Sequence, residues 1–307
     1  MSRILLLFLD GVGLGAGDPA HNPFAACEMP ALESLLGGQK LVLETAPHIG
    51  DEATLLAIDP TLGLPGAPQS ASGQAALLTG RNVPQEIGEH YGPKPNPPIQ
   101  QILREGNIFS TVTQLGAKAA LLNAYPPQYF EAIQRGHRLY SAIPLAVTAA
   151  GLPLMNAEDI RAGRALSVDF TGEGWAARHE FPPVPIYSPS EAGVKLGLLA
   201  TQYDLAWFDF WPSDYAGHRQ DMNAATALLK TFDAVLSGLL QAREGHHDLI
   251  VLTSDHGNLE DLSQRGHTRN PVPAFLVGSK ELRGVFGEDL KNLTHFVPAI
   301  RRTLFPA

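Results

Sequence analysis

Short apolar runs that stop at polar residues and turn formers are the feature that most constrains the fold of this chain. A continuous apolar run of about four to eight residues, bounded by turn signals, is typical of a strand that is buried on both faces in a parallel sheet. The clearest runs are Ile4–Leu9, Ala119–Leu122, Leu205–Phe208, Leu249–Leu252 and Ala274–Val277. We therefore expect these segments to form the buried strands of one parallel sheet.

Segments with helical spacing lie between these runs. The clearest extends from about Asn223 to Arg243, where apolar residues recur every three or four positions. Ala71–Leu78 and Ile99–Arg104 are shorter candidates. The alternation of strands and helices predicts an α/β fold of three layers, with a mostly parallel sheet and helices on both of its faces.

The middle of the chain departs from this alternation. From residue 126 to residue 189 the periodicity is lost, and proline and glycine become frequent. We expect either a small inserted cap or a solvated, loop-rich excursion there, and a catalytic core formed by residues 1–125 and 190–307. The basic residues of the segment are candidate substrate-binding residues: Arg135, Arg138, Arg161 and Arg164.

Composition narrows the classes of function. Apolar residues make up 44% of the chain and charged residues 17%, which is typical of a globular protein. The formal net charge of −9 provides no basic field for nucleic acid or an anionic membrane. The single cysteine, Cys27, cannot form an internal disulfide. Ile4–Leu9 is too short for a signal sequence, and no apolar stretch reaches the roughly 18 residues of a membrane span. We expect a soluble, cytoplasmic protein.

Carboxylates and histidines lie where predicted strands end or begin. Strands lead into Asp10, Asp214 and Asp255, and three histidines lie within a few residues of strand ends: His218, His256 and His267. If the strands are parallel neighbours, all six groups lie at one edge of the sheet. Mixed aspartate and histidine ligation suits Mn²⁺ or Zn²⁺ better than Ca²⁺ or Mg²⁺. Six ligands exceed the needs of one tetrahedral site, which favours two ions.

Each of these groups also has an ordinary interpretation, as a capping or turn residue or a surface histidine. A different function is indicated by Gly11–Ala16, which follows the first strand and formally fits a dinucleotide-binding pattern. Asp10 would then face a pyrophosphate, and Pro19 and Pro23 would disrupt the helix that should follow. A dinucleotide-dependent oxidoreductase therefore stays as an alternative of another class.

A hydroxyl nucleophile is suggested by Ser70 and Ser72, which precede Gly73 and a small, apolar helical run. A hydroxyl at a helix N-terminus feels the positive end of the helix dipole. A metal ion nearby would lower the pKa of that hydroxyl further and make it nucleophilic. Alternatively, one of the two serines caps the helix.

Five motifs in one order carry a resemblance to a known family. They are LDG at 9–11, SASGQAALLTGR at 70–81, DYAGH at 214–218, TSDHGN at 253–258 and GHTRNPVP at 266–273. Together they resemble the alkaline phosphatase superfamily, in the branch that holds the cofactor-independent phosphoglycerate mutases and the phosphopentomutases. The resemblance implies an alkaline phosphatase-like core and a phosphoserine intermediate.

The resemblance also implies two divalent metal ions, Mn²⁺ or Zn²⁺. One ion would be held by Asp214, His218 and His267. The other would be held by Asp10, Asp255 and His256. Counted back from Gly73, Ser70 stands where the family has its nucleophile and would bridge toward the second ion; Ser72 is the second choice.

The chain departs from the mutases in its cap. Those enzymes carry a large cap that retains the substrate, whereas the segment after Arg81 reads as uninterrupted core and only residues 126–189 remain for a cap. A small cap leaves a phosphoserine open to water, which favours a phosphatase over a phosphomutase. The expected partner is a small phosphorylated substrate. A metal-binding scaffold without activity is the remaining alternative.

Overall fold

A computed structural model describes residues 2–242 and 248–306 of the chain. The strands in these residues are β1 (Arg3–Leu9), β2 (His48–Ile49), β3 (Ala53–Ile58), β4 (Ala119–Leu121), β5 (Ala124–Tyr125), β6 (Met155–Asn156), β7 (Leu205–Phe210), β8 (Asp248–Thr253) and β9 (Val272–Val277). All five apolar runs thus form strands, as predicted. Two further strands of the same sheet, β2 and β3, were not predicted.

The helices before residue 150 are α1 (Pro23–Ala26), α2 (Pro30–Leu35), α3 (Ser70–Thr79), α4 (Val83–Ile87), α5 (Pro97–Glu105), α6 (Ile108–Gln114), α7 (Pro127–Gln134) and α8 (Ala142–Ala149). Those after it are α9 (Ala157–Arg161), α10 (Glu173–Ala176), α11 (Pro189–Ala200), α12 (Pro212–Arg219), α13 (Met222–Ala242), α14 (Lys280–Gly287) and α15 (Phe296–Leu304). The predicted helix at 223–243 is α13, and Arg243 lies outside the described residues.

Seven strands form the central sheet, in the order β2-β3-β9-β8-β1-β7-β4. The block β8-β1-β7-β4 is parallel, whereas β9 is antiparallel to both β8 and β3. In β1, Leu6 and Phe8 pack with α3, α5 and α15 on one face, and Leu5 and Leu7 pack with α2, α11 and α13 on the other. Because both faces are covered by helices, the predicted three-layer α/β fold is confirmed.

The middle segment has its own small packing unit. β5 and β6 pair in parallel as a two-stranded sheet, and Ile160 and Trp175 are buried together beneath it. α8, by contrast, packs against α3 and α5 in the main core. The division into a core and a cap at 126–189 remains a prediction. No helix of the described residues is long and apolar enough to cross a membrane.

Candidate metal centre

Three parallel strands end at one edge of the sheet, and a carboxylate follows each of them. Asp10 comes directly after β1, Asp214 lies in the first turn of α12 beyond β7, and Asp255 lies just beyond β8. Gly11 has a φ of +69°, and a Cβ there would lie 2.7 Å from Asp214 Oδ1. The turn after β1 therefore needs glycine, because only glycine allows this conformation and this close approach.

His267 reaches the same edge from a strand of opposite direction. β9 runs antiparallel to β8, so it begins at the edge where β8 ends. The prediction that Ala274–Val277 lies parallel to its neighbours is wrong. A residue that precedes a parallel strand would lie at the opposite edge of the sheet, so the reversal of β9 is what places His267 beside the carboxylates.

One group of candidate ligands consists of Asp10, Asp255 and His256, whose ligand atoms all lie within 4.8 Å of one another. His256 Nε2 is 3.4 Å from Asp10 Oδ1 and 3.6 Å from Asp255 Oδ2. Adjacent residues can face one centre here because the chain has left β8. The Ser254 hydroxyl accepts a hydrogen bond from the Val12 amide and donates one to the His256 carbonyl, at 2.9 and 3.0 Å.

A second group consists of Asp214, His256 and His267, again with ligand atoms within 4.8 Å. The His256 and His267 rings stack with centroids 3.7 Å apart, so His256 lies between the two groups. His218 joins this side, because its Nε2 is 3.4 Å from Asp214 Oδ2. Asp214 and His218 are four residues apart in α12, so the helix places both side chains on one side. The structure thus brings together all six predicted ligands.

The three histidines share one orientation. Nδ1 of His218 is 3.0 Å from the Arg265 carbonyl, and Nδ1 of His267 is 2.8 Å from the Pro68 carbonyl. Nδ1 of His256 faces the Gly257 carbonyl at 3.4 Å. A carbonyl oxygen only accepts, so each Nδ1 carries the proton, and each Nε2 turns a lone pair toward the carboxylates.

Without a cation, burial favours the neutral form of each of these groups. The pKa of His256 is lowered well below its usual range by burial and by His267, so its imidazole is neutral. Burial raises the pKa of Asp10, and Asp255 and Asp214 raise it further. Burial and Asp214 raise the pKa of Asp255 to about 8. Close carboxylates without a cation repel each other, whereas a divalent ion between them would lower the pKa of both carboxyl groups and keep His256 neutral.

Two carboxylate oxygens without hydrogen-bond partners show whether a metal ion would fit this set of ligands. Asp10 Oδ1 and Asp255 Oδ2 are buried and have no hydrogen-bond partner among the described residues. When both carboxyl groups are ionised, the two oxygens and the lone pair of neutral His256 that faces them are all acceptors and cannot hydrogen-bond to one another. A divalent cation satisfies all three atoms at once, and nitrogen with carboxylate oxygen suits Mn²⁺ or Zn²⁺.

Ser70 lies at this centre and Ser72 does not. Ser70 Oγ is 3.0 Å from His256 Nε2. Ser72 Oγ donates to the Gln69 carbonyl at 3.2 Å and accepts from the Tyr91 amide at 3.0 Å, which holds it away from the metal ligands. The N-cap of α3 is Gln69, and Ser70 is the first helical residue. The alternative that one of the serines caps this helix is therefore wrong.

The glycine segment lacks the context that a dinucleotide site requires. The first helix after Gly11–Ala16 is α1, a four-residue helix that begins only at Pro23. The amide of Gly13 donates to Glu260 Oε2 at 2.9 Å, so a carboxylate occupies the place where a phosphate would bind. The structure gives the oxidoreductase alternative no support.

Comparison with known proteins agrees with this geometry. A family model described as the metalloenzyme superfamily matches residues 194–300. The 2,3-bisphosphoglycerate-independent phosphoglycerate mutase of Enterobacter sp. (strain 638) is 30% identical over 118 residues, 36% of this chain and 23% of the mutase. The phosphopentomutase of Hahella chejuensis (strain KCTC 2396) is 32% identical over 129 residues, 42% of this chain and 30% of that enzyme.

The solved structure of an alkaline phosphatase from the Antarctic bacterium TAB5 has the same fold. It matches 98% of this chain and 98% of its own, with a TM-score of 0.50 and 12% identity. These matches confirm the resemblance to the alkaline phosphatase superfamily. The sequence match to each mutase, however, covers less than a third of that relative's length. Asp10 and Ser70 lie outside the segment that matches the superfamily model.

Several residues that support the superfamily motifs were not predicted. Asn258 Nδ2 donates to Asp214 Oδ1 at 2.7 Å, and Gln74 Nε2 donates to Asp10 Oδ2 at 3.3 Å. Glu260 is fully buried and accepts from the Asn258 amide at 2.7 Å. All three lie within a few residues of a predicted site residue, and this closeness in sequence is what could have indicated them.

Asp209 is a further buried carboxylate that was not predicted. It lies in β7, and its Oδ1 has no hydrogen-bond partner among the described residues. The Asn123 side chain bonds only the backbone of Asp209. Its Nδ2 donates to the Asp209 carbonyl at 2.8 Å, and its Oδ1 accepts from the Asp209 backbone amide at 2.7 Å. Burial raises the pKa of Asp209 to about 7. A charged residue within the apolar run LAWFDF was the available signal.

The four candidate substrate-binding arginines have different surroundings. Arg164 pairs with Asp159 at 2.7 Å, and Arg135 lies 3.9 Å from Glu131. Arg161 Nε donates to the backbone of its own helix at 3.3 Å. Of the four, Arg138 alone influences the pKa of Lys94. The charge of Arg138 lowers that pKa, whereas the charges of Asp209 and Asp10 raise it. The role of these arginines in binding remains a prediction.

Proposed function

We propose that this chain is a two-metal phosphoryl-transfer enzyme that hydrolyses a small phosphoester through a phosphoserine on Ser70. The observation that carries the proposal is the position of Ser70 Oγ, 3.0 Å from His256 Nε2. His256 belongs to both groups of candidate ligands. A nucleophile thus stands at the point where the two groups meet, as two-metal displacement requires.

The ligand sets follow from the geometry and from the superfamily resemblance. Asp10, Asp255 and His256, with Ser70, would hold one ion. Asp214, His218 and His267 would hold the other. When bound, the two ions would neutralise charge on the phosphoryl oxygens and stabilise the attacking and leaving oxygens. That there are two ions, and that they are Mn²⁺ or Zn²⁺, is part of the proposal.

The residues of the chain prepare Ser70 for attack. Ser70 is the first residue of α3, a ten-residue helix, so the free amides of the first turn favour an anion at its hydroxyl oxygen. Ser70 gives its Oγ proton to a solvent water, and Oγ attacks the phosphorus while the bond to the leaving alkoxide breaks. The alkoxide takes a proton from water, and a second water then cleaves the phosphoserine to release inorganic phosphate.

Access of water to the phosphoserine supports hydrolysis. The segment 126–189 consists of short helices and the strand β6, which pairs with β5 just outside the segment, and its helix α8 packs in the main core. A cleft of about 600 Å³ is lined by Gln69, which precedes Ser70 in the chain, and by Gly92. An open cleft next to the start of α3 favours transfer of the phosphoryl group to water over its return to the substrate.

A second candidate function is a phosphomutase. It is favoured by the sequence relatives, which are a phosphoglycerate mutase and a phosphopentomutase. The phosphoserine step is common to both candidates, so the difference lies in which oxygen receives the phosphoryl group.

A phosphoester panel in the presence of Mn²⁺ or Zn²⁺ tests the proposal. Sugar phosphates, phosphoglycerates and p-nitrophenyl phosphate would be scored for free phosphate and for isomerised product. We expect free phosphate from at least one ester, no turnover by Ser70→Ala, and a nearly intact metal content in that variant, because the aspartates and histidines remain. Ser72→Ala is the matched control and should retain turnover. Turnover that survives in Ser70→Ala but is lost in Ser72→Ala would show that the assignment of the nucleophile is wrong.

A further inference from the structure

Two cationic side chains lie beside the candidate metal centre without a carboxylate partner. Lys94 is half-buried, and in residues 2–242 and 248–306 its ammonium forms neither a hydrogen bond nor an ion pair. Arg138 is exposed and contacts an aromatic ring, whereas Arg135, Arg164 and Arg178 in the same part of the chain each pair with an acidic residue.

The backbone just before Lys94 packs against the first turn of α3, which carries Ser70. The Ser72 amide donates to the Tyr91 carbonyl at 2.9 Å, and the Tyr91 amide donates to Ser72 Oγ at 3.0 Å. A Cβ built on Gly92 would lie 3.3 Å from the Ser70 nitrogen. Lys94 follows two residues later, so its position relative to Ser70 is set by these contacts.

Arg138 reaches the same region through aromatic contacts. Its Cζ lies 4.9 Å from the centre of the Tyr129 ring, and Tyr129 stacks on Tyr125 with centroids 4.4 Å apart. Tyr125 ends β5, two residues after Asn123, which bonds the backbone of Asp209. The contacts thus lead from Arg138 to the carboxyl end of β7.

The electrostatic surroundings of Lys94 agree with this placement of the two side chains. Burial lowers the pKa of Lys94, and repulsion from Arg138 lowers it further, while Asp209 and Asp10 raise it. Neither carboxylate forms an ion pair with Lys94. Two neighbouring cations that repel each other beside a phosphoryl-transfer centre are stabilised by an anion between them.

We propose that Lys94 and Arg138 together bind a second anionic group of the substrate, a carboxylate or a phosphate on the molecule whose phosphoryl group Ser70 receives. This inference rests on the proposed function and narrows its substrate to phosphoesters with two anionic groups. The planar guanidinium can bind two oxygens of that group, and the ammonium adds a compact charge.

Non-hydrolysable phosphonates test the inference without requiring turnover. Phosphonoacetate, 3-phosphonopropionate and methylenebisphosphonate would be titrated calorimetrically into the Mn²⁺-loaded protein, with methylphosphonate and ethylphosphonate as probes that carry one anionic group. We expect the best dianionic probe to bind about tenfold or more tightly than the matched alkylphosphonate. The carboxylate and bisphosphonate probes distinguish the two kinds of second anion.

Lys94→Gln and Arg138→Gln should each remove most of this preference and leave the affinity for ethylphosphonate unchanged. Arg178→Gln is the matched control, because Arg178 also lies over an aromatic ring, 5.9 Å from the centre of Phe181. Arg138 is exposed, so its variant decides the question even if Lys94→Gln folds poorly.

Equal loss of affinity for both kinds of probe would overturn the inference, because the cations would then contact the reacting phosphoryl group. No preference for dianionic probes in the unaltered protein would overturn it as well. A preserved preference without hydrolysis of any phosphoester would count against the proposed function and not against the anion site.

Discussion

Asp255 is the side chain whose replacement tests the candidate metal centre most directly. It is fully buried, and burial together with the charge of Asp214 raises its pKa from an ordinary value of 3.8 to about 8. The metal-free protein therefore holds this carboxylate at a cost in stability. We predict that Asp255→Asn stabilises the metal-free protein at pH 8 and at the same time weakens metal binding.

The size of the effect follows from the shift in pKa. Each unit corresponds to about 1.4 kcal/mol, so a shift of about four units corresponds to roughly 6 kcal/mol. Relaxation of the site and entry of water reduce such a penalty, and we expect about 3 kcal/mol to remain. With the entropy of unfolding of a chain of 307 residues, this is a rise in Tm of about 5 °C.

The dependence on pH has a definite sign. Between about pH 4 and pH 8 the folded protein retains a proton on Asp255 that the unfolded chain has released. Stability of the metal-free protein therefore falls as the pH rises through this window, and the penalty is complete above pH 8. Asparagine does not titrate, so the variant should lack this part of the fall.

The assay is urea unfolding of EDTA-treated protein at pH 5 and pH 8, with metal content measured separately after reconstitution with Mn²⁺ or Zn²⁺. Asp209→Asn is the matched control, because burial raises the pKa of that carboxylate to about 7. It should stabilise the metal-free protein in the same direction but leave metal content unchanged. If Asp255→Asn is less stable than the unaltered protein at pH 8, or keeps its full metal content, the reasoning is refuted.

Three further predictions concern the rest of the site. Asp214→Ala or His267→Ala should lose one ion and not both; equal loss of both ions by metal analysis would contradict the proposed ligand sets. Glu260→Gln should lower the free energy of unfolding by about 3 kcal/mol in urea, since the fully buried carboxylate accepts several charge-assisted hydrogen bonds. Gly217→Ala should weaken metal binding by equilibrium dialysis, because the new Cβ would lie 2.6 Å from Asn258 and displace the amide that supports Asp214; unchanged affinity would exclude that role.

The central strands were predictable because burial on both faces leaves a continuous apolar run. β1 and β8 lie between helices on either side, and their runs extend to within a residue of the observed ends. β3 lies nearer the edge of the sheet, where Leu56 and Ala57 are partly or fully exposed. A mixed pattern of that kind does not separate a strand from a loop, so β3 was missed.

The direction of a strand leaves no mark in an apolar run. The residues of β9 are apolar and buried whichever way the chain passes through the sheet, so parallel neighbours were the default expectation. His267 was identified as a candidate ligand by its position next to a strand terminus, although the start of a parallel strand would have lain at the opposite edge of the sheet. Only the structure shows that the antiparallel pairing of β8 and β9 brings it to the right edge.

Contacts between segments that are far apart in the chain could not be predicted from the sequence either. Spacing along the chain indicates which side chains accompany a strand end, and it identified the carboxylates and histidines of the site. It does not indicate that the His256 ring lies between the two ligand groups, or that the loop before Lys94 packs against the start of α3. Such relations depend on how loops from several elements pack at one edge.

The acidic net charge of −9 does not oppose a phosphorylated substrate, because the charge that the substrate meets is local. Asp10, Asp214 and Asp255 concentrate negative charge at the sheet edge, and without cations that charge would repel a phosphate. Two divalent ions would bring about four positive charges to the same place and reverse the sign of the field. Lys94 and Arg138 then extend the positive region to one side. The carboxylates that make the chain acidic are thus the groups that would make its site attractive to an anion.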